Sequence, residues 1–461
     1  MQHVHLIGIA GSGMSAIARL LLESGEYTVS GSDRVISPLA QSLEVAGARL
    51  VAGHDPRSVE GASLVVRSSA IGDDNPEVVA ARAAGIPVLK RSDFLGRLMQ
   101  NRTGIAVAGT HGKTTTTAML ALIFVRLGRD PSYIIGGISK DLGRNAHAGK
   151  GPAFIIEADE YDRMFLGMQP AVEVVTNIEH DHPDMFPTPD DYRQAFVEFV
   201  QRLEAGGLLL ACADDAAALS LLPAIPAGSR ALTYGLAAYA NYTAQDVTRG
   251  EDGAYRFTAL YNPPAGQTVT LGAVALSLPG LQNVQNALAA LAVAHQLDLP
   301  VQDAIRALNQ FSGTGRRFDL LGEAAGIAIL DDYAHHPTQI RTTLAAAKAR
   351  YPGRRIWAVW QPHTYTRTQT LLAEYAAAFG DAGQVLVTEV YAAREKNPGF
   401  SAAQVVKAMR HPAARFSAGL DETTALLLDE LRPGDVVLVL SAGDADQISR
   451  DVLAGLKEKG R

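Results

Sequence analysis

The sequence predicts an α/β protein of three domains: a Rossmann-like N-terminal domain, a central P-loop ATPase-type α/β domain with added antiparallel strands, and a C-terminal Rossmann-like domain. Three observations predict it. Short apolar runs alternate with helix-patterned stretches through most of the chain, the pattern of parallel sheets covered by helices. Two glycine-rich turns, beginning at Gly8 and at Gly109, each stand between such a run and a helical stretch. Length agrees, since 461 residues at about 150 per domain give about three. The expected divisions are residues 1–102, 103–313 and 314–461.

The chain is 47% apolar and 19% charged, which is the composition of a globular protein with several cores. A net charge of −7 argues against a nucleic-acid or anionic-membrane partner. Cys212 is the one cysteine, so neither an internal disulfide nor a cysteine metal cluster is expected. The start, MQHVHLIGIAGSG, lacks a basic region followed by a long apolar run, and the apolar stretch at 118–127 is interrupted by Arg126. A cytoplasmic monomer or homodimer is expected.

The central turn is the strongest signal. Apolar residues 105–108 read as a buried strand, Gly109-Thr110-His111-Gly112-Lys113-Thr114 as a tight loop, and 115–127 as a helix. Free N–H groups and the dipole at a helix start attract anions, glycines let backbone approach phosphate oxygens, and Lys113 adds charge. The Thr114 hydroxyl is placed to ligate Mg²⁺, and Thr115 continues the cradle. ATP is the expected ligand. Val107 stands where the general pattern G-x-x-x-x-G-K-[ST] has its first glycine.

Residues 4–9 form a strand candidate running into Gly11-Ser12-Gly13, followed by a helical run from Met14 and a strand ending at Asp33. This is a βαβ nucleotide-binding unit. It reads either as an NAD site with Asp33 on a ribose or as the phosphate site of another nucleotide. Ser68, Ser69 and Lys90 or Arg91 follow further strand ends, where α/β sheets hold ligands; helix capping and solvated charge are the alternative.

The strand 153–156 delivers Glu157, Asp159, Glu160 and Asp162, carboxylates that repel one another unless a cation holds them. The next, AVEVVTN, delivers Glu179, His180, Asp181, His182 and Asp184. Both clusters should face the phosphate loop and suit Mg²⁺ better than zinc. Residues 190–204 read as helix, and TAQDVTR, AYRFTAL and TVTLGAVALSLPG as antiparallel strands. Asn283 and Asn286, three apart, share the first turn of an alanine-rich helix and could meet a base or ribose. In the third domain Arg316 and Arg317 precede a strand ending in Asp331, Asp332, Tyr333, His335 and His336. The strand RIWAVWQPHTYTRT carries His363 and Arg367 beyond its end.

The motifs GIAGSGMS, SSAIGDDNPE, GTHGKTTTTAM, EADEYD, TNIEHDHPD, GRRFD, DDYAHHPT and QPHTYTRT together resemble the Mur ligase family, over essentially the whole chain. The likeness is closest to its alanine-adding branch. It implies an ATP-dependent ligation of L-alanine to UDP-N-acetylmuramate through an acyl phosphate, in peptidoglycan precursor synthesis. A recycling ligase that attaches a murein tripeptide is the family rival, and an NAD-dependent oxidoreductase a distant alternative. The resemblance implies that Gly11, Ser12, Gly13, Met14, Ser15, Asp33, Ser68, Ser69 and Ala70 hold the UDP-sugar. Residues 109–115, Asn283, Asn286, Arg316, Arg317 and Asp332 would hold ATP; Thr114, Glu157 and His182 would hold metal. Tyr333, His335, His363 and Arg367 would hold the amino acid, with Lys113, Glu157, His182 and His335 catalytic. Three positions depart from the pattern: Phe196 where several relatives carry a carbamylated lysine, Thr364 for a frequent arginine, and Tyr161 for a common serine.

Overall fold

The computed structural model describes residues 1–459 and has the expected three-part α/β architecture. The N-terminal sheet is wholly parallel, in the order Arg49–Ala52, Tyr27–Asp33, Gln2–Ile7, Leu64–Arg67, Val88–Lys90. Its order reverses at Gln2–Ile7, so the glycine turn and the loop from Ser68 open at a topological switch point, where such sheets bind ligands.

The central sheet has ten strands. Thr103–Ala108 lies between Ala153–Glu157 and Val172–Val175, all parallel, so both acidic clusters emerge beside the phosphate loop. The strands Tyr242–Arg249, Ala254–Tyr261 and Val269–Pro279 extend one flank antiparallel, as expected. The strands Leu208–Cys212 and Arg230–Tyr234, and the hairpin Ser132–Ser139 with Arg144–His147, were not anticipated. The hairpin lacks clean alternation because half of it borders the site, where Gly136 and Gly137 leave room for Glu157 and Thr114. The C-terminal sheet runs Asp319–Ala324, Ile327–Asp332, Val436–Ser441, Ile356–Gln361, Gln384–Val387, Ala414–Phe416, parallel except for its first pair.

The strand Ile356–Gln361 stops before His363 and Arg367, which lie beyond its end as expected, and Tyr365–Thr370 is a helix carrying Arg367. Its threonines are poor helix formers. The start is capped from thirty residues away, by Glu395 Oε2 accepting the N–H groups of Tyr365 and Thr366 at 2.5 and 3.0 Å. No local pattern reveals such a cap.

One continuous core spans the N-terminal sheet and the near face of the central sheet, while the C-terminal sheet has cores of its own. Phe196 belongs to the shared core. Its ring meets those of Phe165 and Tyr192 edge-on at 5.3 and 5.2 Å, and Phe165 stacks on Phe199. Such pairs add to the burial of large apolar area. Phe196→Ala should therefore cost about 3–5 kcal/mol, measured as a lowered thermal midpoint; an unchanged midpoint would show that the cluster bears no load.

Candidate active site

The phosphate loop is shaped by two glycines. Gly109 has φ 132° and a Cβ there would run into the Thr176 hydroxyl, so no other residue fits. Gly112, φ 83°, opens the helix Lys113–Arg126, and a Cβ on it would lie 2.7 Å from Asn286 Oδ1. Asn286 thus packs directly on the loop. Its Nδ2 donates to Asn283 Oδ1, and Asn283 in turn donates to the Pro279 carbonyl. The loop is also tied to the neighbouring strand end: Thr110 N–H donates to the Asn177 carbonyl and His111 N–H to Asn177 Oδ1, both at 2.9 Å.

Lys113 is half-buried and pairs with Glu160, 2.8 Å away, and also donates to the Gly109 carbonyl. Burial disfavours its ammonium, but the carboxylates of Glu160, Asp159 and Glu157 outweigh burial and hold its pKa above the ordinary lysine value. Tyr192 donates to the other oxygen of Glu160 at 2.9 Å. Thr114 Oγ1 donates to Glu157 Oε1 at 3.1 Å, and Arg317 reaches the same hydroxyl at 3.4 Å. Burial raises the Glu157 pKa despite Lys113 and Arg317, the state of a carboxylate lacking a full counter-charge. Adjacent hydroxyl and carboxylate oxygens are the donor set that Mg²⁺ takes together with phosphate and water. His182 is wired elsewhere: its Nδ1 accepts from Arg367 at 3.1 Å, which leaves the neutral ring's proton on Nε2, 3.8 Å from Glu160.

The C-terminal wall centres on Arg367. Its Nε donates to Asp181 at 2.6 Å, while other nitrogens reach His363 Nδ1 and His182 Nδ1, each at 3.1 Å. Burial would raise the Asp181 pKa, but the Arg367 guanidinium beside it holds it well below the ordinary range. His335 donates from Nδ1 to the Tyr333 carbonyl at 2.9 Å, leaving a lone pair on Nε2. Burial, with Arg367, lowers the His335 pKa to about 4. Arg394 lies over the Tyr161 ring at 4.7 Å, and among the described residues no carboxylate pairs with it.

These parts surround one cavity of about 1260 Å³. Gly11, Ser12, Gly13, Met14, Ser68, Ser69 and Ala70 line it from the N-terminal domain, as does Arg91 but not Lys90. Two expected sugar contacts lie outside its walls. Ser15 donates to the Ser12 carbonyl, and Asp33 accepts the Ala10 N–H at 2.9 Å, so both brace the turn. Asn283, Asn286, Tyr333, His335, His363 and residues 110–115 line the cavity, whereas Gly109, the first residue of the loop, does not. Arg316 lines it too, but its guanidinium is engaged with Asp331 and the Ser441 carbonyl, which leaves Arg317 to face the phosphate loop. Both oxygens of Asp332 accept backbone N–H groups, from Phe318 and Ala334. Glu160 and Asp181, from the two acidic clusters, complete the arrangement together with Tyr192, Gln339 and Arg394. Glu160 and Asp181 stood in the acidic runs with nothing local to set them apart, and Arg394 carried no signal.

A chain with a phosphate loop, a second nucleotide-type turn and a histidine–arginine wall on one cavity is built to activate one anion and join it to another molecule. It belongs to the Mur ligase family. Residues 3–103 match the Mur ligase family catalytic domain, 107–294 the Mur ligase middle domain, and 316–443 the Mur ligase glutamate ligase domain. The UDP-N-acetylmuramate–L-alanine ligase of Geobacter sp. (strain M21) is 42% identical over 99% of this chain and 98% of its own length. That of Roseiflexus sp. (strain RS-1) is 43% identical over 99% and 100%. Among solved structures, a UDP-N-acetylmuramate–alanine ligase from Thermotoga maritima matches with TM-score 0.81 and 28% identity over all of both chains. A murein peptide ligase from Psychrobacter arcticus matches with TM-score 0.74 and 27% identity over 99% of each.

The buried histidines make stability sensitive to acid. Burial lowers His335 and His336 to about 4 and His363 to about 3, against an ordinary 6.5. Between those values the unfolded chain binds more protons than the folded one, so stability is lost as pH falls through that window. Asp331, raised to about 6 by burial, works in the opposite sense, as do Glu157, Glu173, Asp215 and Asp332, which burial also raises. The thermal midpoint should therefore fall less steeply from pH 6.5 to 4 in His363→Gln than in wild type; equal slopes would contradict the buried neutral state of His363.

Proposed function

We propose that this chain joins L-alanine to UDP-N-acetylmuramate with cleavage of ATP to ADP and phosphate, as a cytoplasmic monomer or homodimer. The observation that carries this reading is the single cavity shared by the turn at Gly11–Gly13, the phosphate loop and the wall of His335 and Arg367. The relatives' names supply the substrates. The division at 1–102, 103–313 and 314–461 assigns the sugar nucleotide, ATP and the amino acid to successive domains.

A carboxylate and an amine do not condense in water, so the carboxyl needs a leaving group. A lactyl carboxylate oxygen forms a bond to the γ-phosphorus while the bond to the ADP oxygen breaks. Both reactants are anionic, and Lys113, Arg317 and the helix N-terminus at Gly112 supply the compensating positive charge. Thr114 and Glu157 would hold Mg²⁺, which neutralises charge on the phosphates when bound. The amine lone pair then attacks the acyl carbon, phosphate departs, and the amine gives up a proton. His335, neutral with its Nε2 lone pair 3.8 Å from Asp181 Oδ2, accepts that N–H and orients the amine. Arg367 is committed to Asp181, so the reading assigns the amino-acid carboxylate to Arg394, the cation left open on the same wall.

A second reading, ligation of a murein tripeptide, is favoured by one observation. Tyr161, with its hydroxyl on Asp184, presents Arg394 at the cavity edge, where a longer acceptor would find both an aromatic face and a cation.

Phosphate release measured with ATP, UDP-N-acetylmuramate and a panel of L-alanine, glycine, L-serine and the tripeptide separates the two. L-alanine should give the highest kcat/KM, and preference for the tripeptide would transfer the assignment. Lys113→Ala should lower kcat by roughly 10³-fold or more with an unchanged circular dichroism spectrum; near-normal turnover would remove the loop from the mechanism. Arg394→Ala should raise KM for the amino acid about 10–100-fold while leaving KM for ATP in place; equal changes in both would refute the carboxylate assignment.

A further inference from the structure

The phosphate loop and the C-terminal wall are joined by a closed circuit of hydrogen bonds that the reaction above does not use. Gln339 stands in the first turn of the helix Pro337–Arg350. Its Oε1 accepts two backbone N–H groups, those of His335 and His336, at 3.0 and 3.1 Å. This fixes the amide orientation and leaves Nε2 only as a donor. Nε2 lies 3.0 Å from His111 Nδ1. The ring of His111 must therefore present a lone pair at Nδ1 and carry its proton at Nε2. Nε2 is 2.9 Å from Glu179 Oε2, and Glu179 Oε1 accepts the Thr338 hydroxyl at 2.7 Å, which returns the circuit to the residue beside Gln339.

His111, Glu179 and His336 bring metal-ligand atoms within 4.8 Å of one another. The hydrogen bonds decide their use. A cation on His111 Nε2 would require the proton to move to Nδ1, against the Gln339 amide. His336 Nδ1 already accepts the Thr338 N–H at 3.3 Å, and its Nε2 faces the His180 carbonyl at 3.3 Å. The cluster is wired as a relay between domains.

The circuit reaches both halves of the site. His111 lies inside the loop whose neighbours Gly112, Lys113 and Thr114 face the donor phosphates. The His335 backbone N–H is held by Gln339, its carbonyl takes the Tyr375 hydroxyl at 2.6 Å, and its ring is fixed on the Tyr333 carbonyl. We propose that Gln339 is a positioning residue that sets the phosphate loop and His335 in register, one amide fixing the His111 tautomer and the His335–His336 backbone together. This rests on the ligase reading for its kinetic consequence and on geometry alone for the tautomer. Near-attack alignment of two bound reactants is worth orders of magnitude, and it needs their holders fixed relative to each other.

A helix cap needs only an acceptor, whereas the His111 bond needs a donor. Gln339→Glu keeps the first and removes the second; Gln339→Ala removes both. In the full chain, ¹⁵N shifts of the His111 ring should report the Nε2–H tautomer in wild type, and a protonated Nδ1 in Gln339→Glu. That variant should keep the wild-type melting temperature and KM for UDP-N-acetylmuramate but lose about tenfold or more in kcat. Wild-type kcat in Gln339→Glu would reduce Gln339 to a cap and overturn the proposal. So would an unchanged His111 tautomer in both variants, or a kcat loss matched by a collapse in melting temperature. If wild type itself releases no phosphate, the ligase reading fails, and the tautomer measurement still decides whether Gln339 sets the state of His111.

Discussion

The arrangement depends first on the ion pair between Arg367 and Asp181. The two are 186 residues apart in sequence, both only 3% exposed, and 2.6 Å apart. Charges so deeply buried are tolerable only when paired and further hydrogen-bonded, and removing one partner from such a pair typically costs about 3–5 kcal/mol. The remaining Arg367 donors meet that requirement by taking His363 and His182. One guanidinium thereby fixes the loop after Val172–Val175 against the helix Tyr365–Thr370, and with it the join between the central and C-terminal domains.

That join explains how the other groups divide their work. Because Arg367 is neutralised, the acceptor wall is not a strongly positive surface; its histidines stay neutral and offer lone pairs. The phosphate loop differs in adding Arg317 and the helix start to Lys113, which is itself paired with Glu160. Arg394 is held apart on the Tyr161 ring. Arg367 and Lys113 are each held by a buried carboxylate, the first by Asp181 and the second by Glu160.

Much of this was legible along the chain, for a local reason. The phosphate loop is a strand, a turn and a helix within some twenty-five residues, so its function is written contiguously in Gly109, Gly112, Lys113 and Thr114. The clusters at Glu157, at Asp181 and His182, and at His335 each follow an apolar strand, which sufficed to predict that parallel strand ends gather them. The antiparallel flank showed its alternation. The hairpin Ser132–Ser139 with Arg144–His147 did not, because its glycines answer to Glu157 and Thr114 rather than to a sheet face.

The three-domain α/β class, the phosphate loop and the family all follow from residues that are neighbours in the chain. Which partner each cluster member takes is visible only once the domains pack together. Asp33 and Asp332 turn out to bind backbone N–H groups, Arg367 binds Asp181, and Arg316 holds the C-terminal sheet, leaving Arg317 and Arg394 open to the cavity. The physical reason is that a polar side chain's role is set by the partners that satisfy it once buried. Those partners, like Glu395 capping Tyr365 or Gln339 meeting His111, come from segments whose distance along the chain hides them.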